Sequence, residues 1–175
     1  MLCTTLLKPQ TMEITMPSDK DDIKQENKSQ VQTDEAITII IDKDNQIYYF
    51  EGKQQEAKLQ ETAYGKEGIR KVLLKKNIKA AEQVAKLKTE MQAKFTSNPL
   101  QAEKNKQYYK EQLSKIKNAD GTPTAIIKPS DASTYNNLID VLDEMQNCYI
   151  GKYVIDKVSD VDRAMVKDQL GRDLE

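Results

Sequence analysis

The sequence predicts an α+β protein: a small open β-sheet with helices packed on one face in the order β-β-α-β-α-β, an inserted helical hairpin, and an N-terminal extended tether. Three observations carry this. The β-branched run Ala36-Ile37-Thr38-Ile39-Ile40-Ile41-Asp42 returns, after Asp44-Asn45, as Gln46-Ile47-Tyr48-Tyr49-Phe50-Glu51. Tyr135, Leu138, Ile139, Leu142 and Met145 follow the i, i+3, i+4, i+7 series of a helix with one buried face. Between residues 79 and 118 the apolar stripe narrows to a 4-3-4 spacing within a charged sequence.

Residues 1–17 form the first segment. Met1-Leu2-Cys3-Thr4-Thr5-Leu6-Leu7 is an apolar stub cut off by Lys8-Pro9. A membrane span needs about 20 apolar residues, and a signal peptide a basic start and a longer apolar core. The stub therefore reads as the last two turns of a membrane helix lying upstream of Met1, with Lys8 at the interface; a buried N-terminal helix fragment is the other reading. Thr11–Met16 alternates so that Met12, Ile14 and Met16 share one face, either as a strand docked on a sheet or as plain extended tether. Residues 18–35 hold only Ile23 and Val31 as large apolar groups and read as a flexible linker. Fully extended it spans about 60 Å at roughly 3.3 Å per residue; as a coil its ends lie on the order of 25 Å apart.

The folded body is expected over 36–158. Within the hairpin at 36–51, Tyr48 and Phe50 share a face and Tyr49 takes the other, giving core packing plus one exposed ring. Gly65 and Gly68 flank the start of a helix with Ile69, Val72 and Leu73 on one face through about Lys76. Ala80, Val84, Leu87 and Met91, then Tyr109, Leu113 and Ile116 after the break at Asn98-Pro99, mark an antiparallel helical hairpin at 79–118. Its faces are too narrow for a main core, so it protrudes. Thr124–Lys128 is a short buried strand, Pro129–Ser133 leads into the second helix, and Gly151 ends that helix as a residue tolerating positive φ. Lys152–Val158 alternates as a final strand, and a helix at Asp162–Leu170 lies in the C-terminal tail, 159–175.

The chemistry is narrow. Net charge is −1 and no basic block exceeds Lys75-Lys76, so no nucleic-acid partner is expected. The absence of histidine removes Ser-His and Cys-His catalysis and the commonest metal ligand. Cys3 and Cys148 make neither a disulfide framework nor a zinc site. Gly65-Lys66-Glu67-Gly68 lacks the rest of a phosphate loop. No enzyme, cofactor, catalytic residue or metal ligand is expected. Asp131, between a strand end and a helix start, is either a capping or turn carboxylate or a surface group that meets a partner. Asp140, Asp143 and Glu144 read as a solvated face.

Two stretches resemble the ExbD/TolR family of biopolymer transport proteins. Thr4-Thr5-Leu6-Leu7-Lys8-Pro9-Gln10-Thr11-Met12-Glu13-Ile14-Thr15-Met16-Pro17 is similar to the family's exit from its single membrane helix into an extended segment ending in Leu/Met-Pro. Ala125-Ile126-Ile127-Lys128-Pro129-Ser130-Asp131, followed by Tyr135, Leu138, Ile139 and Val141-Leu142-Asp143, resembles its strand-Ala-Asp-helix signature with a Tyr four residues after the Asp. Pro129-Ser130 departs from the family's short Arg/Lys-Ala step, and the best-known members lack the helical hairpin.

The resemblance implies the periplasmic part of an ExbD-type inner-membrane subunit. Such subunits are homodimers within an ExbB-like channel, converting proton flow into work on a TonB-like protein. The family's proton-carrying aspartate would lie upstream of Met1. Partner binding is expected at Asp131 and Tyr135, and along Met12, Ile14 and Met16. Within the family, a TolR-like or stator-like domain that grips peptidoglycan is the alternative. A soluble scaffold with a coiled-coil-like hairpin is the rival of another class, against which the N-terminal stub argues.

Overall fold

The computed structural model describes residues 35–54 and 56–174. Expectations for residues 1–17, including Met12, Ile14 and Met16, and for the linker up to residue 34 lie outside the described residues. The strands are β1 (Ala36–Ile41), β2 (Ile47–Glu51), β3 (Gln60–Thr62), β4 (Thr124–Pro129) and β5 (Lys152–Ile155). The helices are α1 (Ile69–Lys76), α2 (Ile78–Ala93), α3 (Pro99–Lys117), α4 (Tyr135–Asn147) and α5 (Asp160–Leu170). Together the strands make one open mixed sheet in the order β3-β2-β1-β4-β5.

β1 is the middle strand, antiparallel to β2 and parallel to β4, and all six of its residues are buried. The β1–β2 turn places Asp44 (φ 56°) and Asn45 (φ 60°) in the left-handed region, and Gln46 N–H donates to Lys43 O at 3.1 Å. Two successive left-handed residues match the right-handed twist of a hairpin, and Asp and Asn tolerate that conformation best after glycine.

On one face, Ile37, Ile39, Ile41, Tyr49 and Ile127 pack with Ile69 and Leu73 of α1 and with Val141 and Met145 of α4. The opposite face is also closed. Ile40, Tyr48 and Phe50 pack against Leu59, Leu174, and Met165 and Val166 of α5. α5 thus adds a second layer to the helices expected on one face. It also corrects the expected exposed ring: Tyr48, Tyr49 and Phe50 are all buried, because each face of β2 meets a covering element.

Glu144 is a second correction. Asp140 is exposed, but Glu144 is buried, because Arg70 of α1 reaches it from the neighbouring helix. A third concerns Gly151. The left-handed residue after α4 is Tyr149 (φ 59°). A Cβ at Gly151 would lie 2.7 Å from Asn118 Oδ1 and 3.1 Å from Lys117 O, so glycine stands there to let the end of α3 approach. Gly151 N–H donates to Lys117 O at 3.2 Å across that contact.

α2 and α3 lie antiparallel: Asn105 Nδ2 donates to Lys94 O at 2.8 Å beside the connecting turn. Asn98 caps α3 with Pro99 in its first turn, as the sequence predicts. The break between α1 and α2 is Asn77, whose buried amide donates to Cys148 O and Tyr149 O at 3.0 Å each. That amide fastens the hairpin base to the end of α4.

Candidate partner-binding edge

An open sheet has two edges, and here they differ. β3 is three residues long and polar, a short edge that resists further pairing. Among the described residues β5 pairs with β4 alone, in parallel register from Thr124↔Lys152 to Ile127↔Ile155. No described strand takes its outer row of backbone N–H and C=O groups. Tyr153, Val154 and Ile155 are 41%, 45% and 49% exposed. Alternation along the strand puts Tyr153 and Ile155 on one face and Val154 on the other. Backbone donors and acceptors flanked by apolar side chains are the components of strand addition.

The turn 130–134 follows β4 at the same end of the parallel pair where β5 finishes. Ser130 holds it in place. Its N–H donates to Ile41 O at 2.8 Å, and its Oγ donates to Asp42 Oδ1 at 2.8 Å in a buried setting. Pro129, at the end of β4, pairs in register with Ile41. The Pro129-Ser130 departure therefore ties the turn to the central strand.

Asp131 stands on that turn with a side chain 91% exposed and one ion pair, to Arg163 Nη2 at 3.2 Å. It does not cap α4. The cap is Thr134, whose Oγ1 accepts from Asn137 N–H while Asn137 Oδ1 accepts from Thr134 N–H. Of the two structural roles weighed for Asp131, the turn carboxylate remains. Tyr135, the first residue of α4, is 68% exposed. The fold thus brings Asp131, Tyr135 and β5 to one end of the sheet.

Arg163 reaches Asp131 because α5 is fixed from below. Asp162 carries a fully buried carboxylate that accepts from Lys128 Nζ and Gln54 Nε2, each at 2.7 Å, and from Ser159 Oγ at 2.6 Å. Burial alone would raise its pKa, but the Lys128 and Ser159 hydrogen bonds outweigh that and hold it below the usual carboxylate value. The sequence reading passed over β5 as an edge, although Tyr153-Val154-Ile155 is the last strand in chain order and apolar at consecutive positions. It also passed over Arg163 and Lys128. The capping-box spacing Ser159-x-x-Asp162 was the one local signal for how α5 begins.

Among the described residues no group of His, Cys, Asp and Glu could hold a metal, and no helix is long and apolar enough to cross a membrane. The family model for biopolymer transport protein ExbD/TolR matches residues 1–158, and the chain belongs to that family. Its members are non-enzymatic energiser subunits of biopolymer transport. They are generally anchored in the inner membrane with a periplasmic domain, and associate with ExbB/TolQ-type partners. The matched stretch ends before α5, so the helix that closes the second face lies beyond it. Comparison with curated proteins and comparison with solved structures each found no match.

Proposed function

We infer that the chain serves as the ExbD-type subunit of a motor driven by the proton motive force, with an ExbB-like channel, energising TonB-dependent uptake across the outer membrane. The observation that supports this reading most is the half-exposed apolar edge of β5, at the same end of the sheet as Asp131 and Tyr135. A segment of the TonB-like protein would add to β5 as a strand, with Asp131 and Tyr135 contacting its flank. Met12, Ile14 and Met16 would form an internal strand competing for the same edge, tethered by residues 18–35. In this reading the work is mechanical. A proton event in the membrane moves the tether of a homodimer, and the body transmits that motion to whatever β5 holds.

Amide exchange with a TonB-like periplasmic segment tests the reading, with new protection expected along Lys152–Ile155. The TolR-like alternative predicts retention on purified peptidoglycan sacculi instead. Sacculus binding without β5 protection would transfer the chain to that role.

A further inference from the structure

The hairpin has no part in the strand-addition reading, yet its tip is built to present apolar groups. Phe95, two residues past the end of α2, is 87% exposed, and Leu100, the second residue of α3, is 70% exposed. The turn between them is fixed: Asn98 Oδ1 accepts from Leu100 N–H at 3.0 Å and from Gln101 N–H at 3.4 Å. Beside Phe95 an open groove of about 400 Å³ is lined by Met91, Tyr109, Lys88 and Gln92. An apolar tip held in shape and left uncovered marks a contact surface.

Charge identifies the occupant. Residues 78–117 carry nine lysines against four glutamates, a surplus of five positive charges in a chain of net −1, so the remainder carries −6. Near the tip, Lys104 and Lys106 on the first turns of α3 are exposed and have no ion pair among the described residues. Lys94 sits 4.7 Å above the Tyr108 ring and pairs with Glu90. The partner is therefore anionic, with an apolar layer that a projecting tip can enter. A phospholipid surface has both: rings and leucines settle beneath the headgroups while lysines reach the phosphates. α3, 19 residues long, extends about 28 Å at 1.5 Å per residue, enough to carry the tip clear of the sheet.

We propose that the α2–α3 tip docks on an anionic lipid bilayer, with Phe95 and Leu100 in the interface and Lys104 and Lys106 over the phosphates. The chain contains no tryptophan, so Phe95→Trp places a single tryptophan, excited apart from the eight tyrosines, at the contact in the full chain. Vesicles of phosphatidylethanolamine with one-third phosphatidylglycerol should shift its emission to the blue, brominated acyl chains should quench it, and high salt should reverse both. Adding Leu100→Ser should weaken partitioning about tenfold, as the loss of one buried apolar side chain implies. Because the probe sits at residue 95, vesicle binding through another segment leaves the emission unchanged. Cosedimentation with unshifted emission would overturn the proposal, as would an equal shift on neutral phosphatidylcholine. A shift on sacculi or an acidic protein, with none on vesicles, would assign the tip to that partner and overturn the lipid reading.

Discussion

Glu144 of α4 accepts Arg70 Nε at 2.5 Å and Nη2 at 3.0 Å from α1, and its Oε1 also accepts Gly65 N–H at 3.1 Å. One carboxylate thus joins the two helices of the main face to the loop entering α1. The pair leaves little of either side chain in water, 25% for Arg70 and 8% for Glu144.

Breaking this pair from one side should therefore matter more than breaking an exposed one. Arg70→Ala leaves Glu144 buried without its cation, and the thermal midpoint should fall by several degrees. Lys167→Ala removes an exposed pair with Asp173, 66% and 75% open, and should leave the midpoint unchanged. Similar shifts for both variants in a melting experiment would remove the special standing of the α1–α4 link.

Two glycines ahead of α1 should respond differently to alanine. A Cβ at Gly68 would sit 1.9 Å from Ala63 O, a backbone atom that also accepts Ile69 N–H at 2.8 Å. Gly68→Ala must displace that turn and should abolish or severely impair folding. Gly65 has open space around it but φ of 94°, so Gly65→Ala should fold with a loss of about 1–2 kcal/mol from backbone strain. Urea midpoints of the two variants decide the ranking.

Removing residues 159–175 uncovers Ile40, Tyr48 and Phe50, which α5 and Leu174 otherwise bury. The shortened protein should bind a hydrophobic dye and aggregate, although it retains the whole family-matched stretch. A monomeric, dye-silent protein ending at Val158 would show that the second face tolerates water.

The elements that could be read from the sequence were those with a strong local signal. β1 and β2 announce themselves as β-branched and aromatic runs on either side of the Asp44-Asn45 turn, although both faces of each are buried, and α4 by apolar residues at helical spacing. β3 carries no such signal. Gln60-Glu61-Thr62 has no large apolar residue, and is held by pairing with β2 and by contacts such as Tyr49 OH to Gln60 Oε1 at 2.8 Å and Arg172 to Glu61 at 2.8 Å. Glu144 escaped for the same reason: its burial depends on an arginine 74 positions away. Asp131 was visible as a strand-to-helix carboxylate, but only the structure separates it from the true cap at Thr134.

Stability should decline at both ends of the pH scale, for different groups. The Asp162 carboxyl titrates below its ordinary value, so its contribution is present above the unfolded carboxyl pKa near 4 and is lost as pH falls through the lowered folded value. Loss of protection in α5 should therefore lead acid unfolding. Burial pushes the Cys148 thiol up to about 12. Its contribution is present below the unfolded thiol pKa near 8.5 and declines as pH rises toward 12. At pH 8, in a Cys3→Ser variant that leaves Cys148 as the one thiol, the native protein should react with a disulfide reagent far more slowly than the same protein in urea. Equal rates in both states would show that the thiol is open to solvent.

The strand-addition reading makes its sharpest prediction at β5. Tyr153 and Ile155 are already nearly half exposed, so Tyr153→Lys with Ile155→Lys should leave the melting temperature almost unchanged. The same change removes two apolar contacts and places two ammonium groups on the edge, which opposes pairing with an incoming strand. Affinity for a TonB-like segment should fall at least about tenfold, since one buried apolar side chain is already worth that much. Asp131→Ala should weaken the same complex while leaving stability in place, because its carboxylate is 91% exposed and, among the described residues, meets only the surface cation of Arg163. Calorimetric titration of both variants beside thermal melts separates the outcomes. If affinity survives the β5 changes, the partner binds elsewhere on the body. If both variants lose affinity only in step with stability, the edge and the turn are structural.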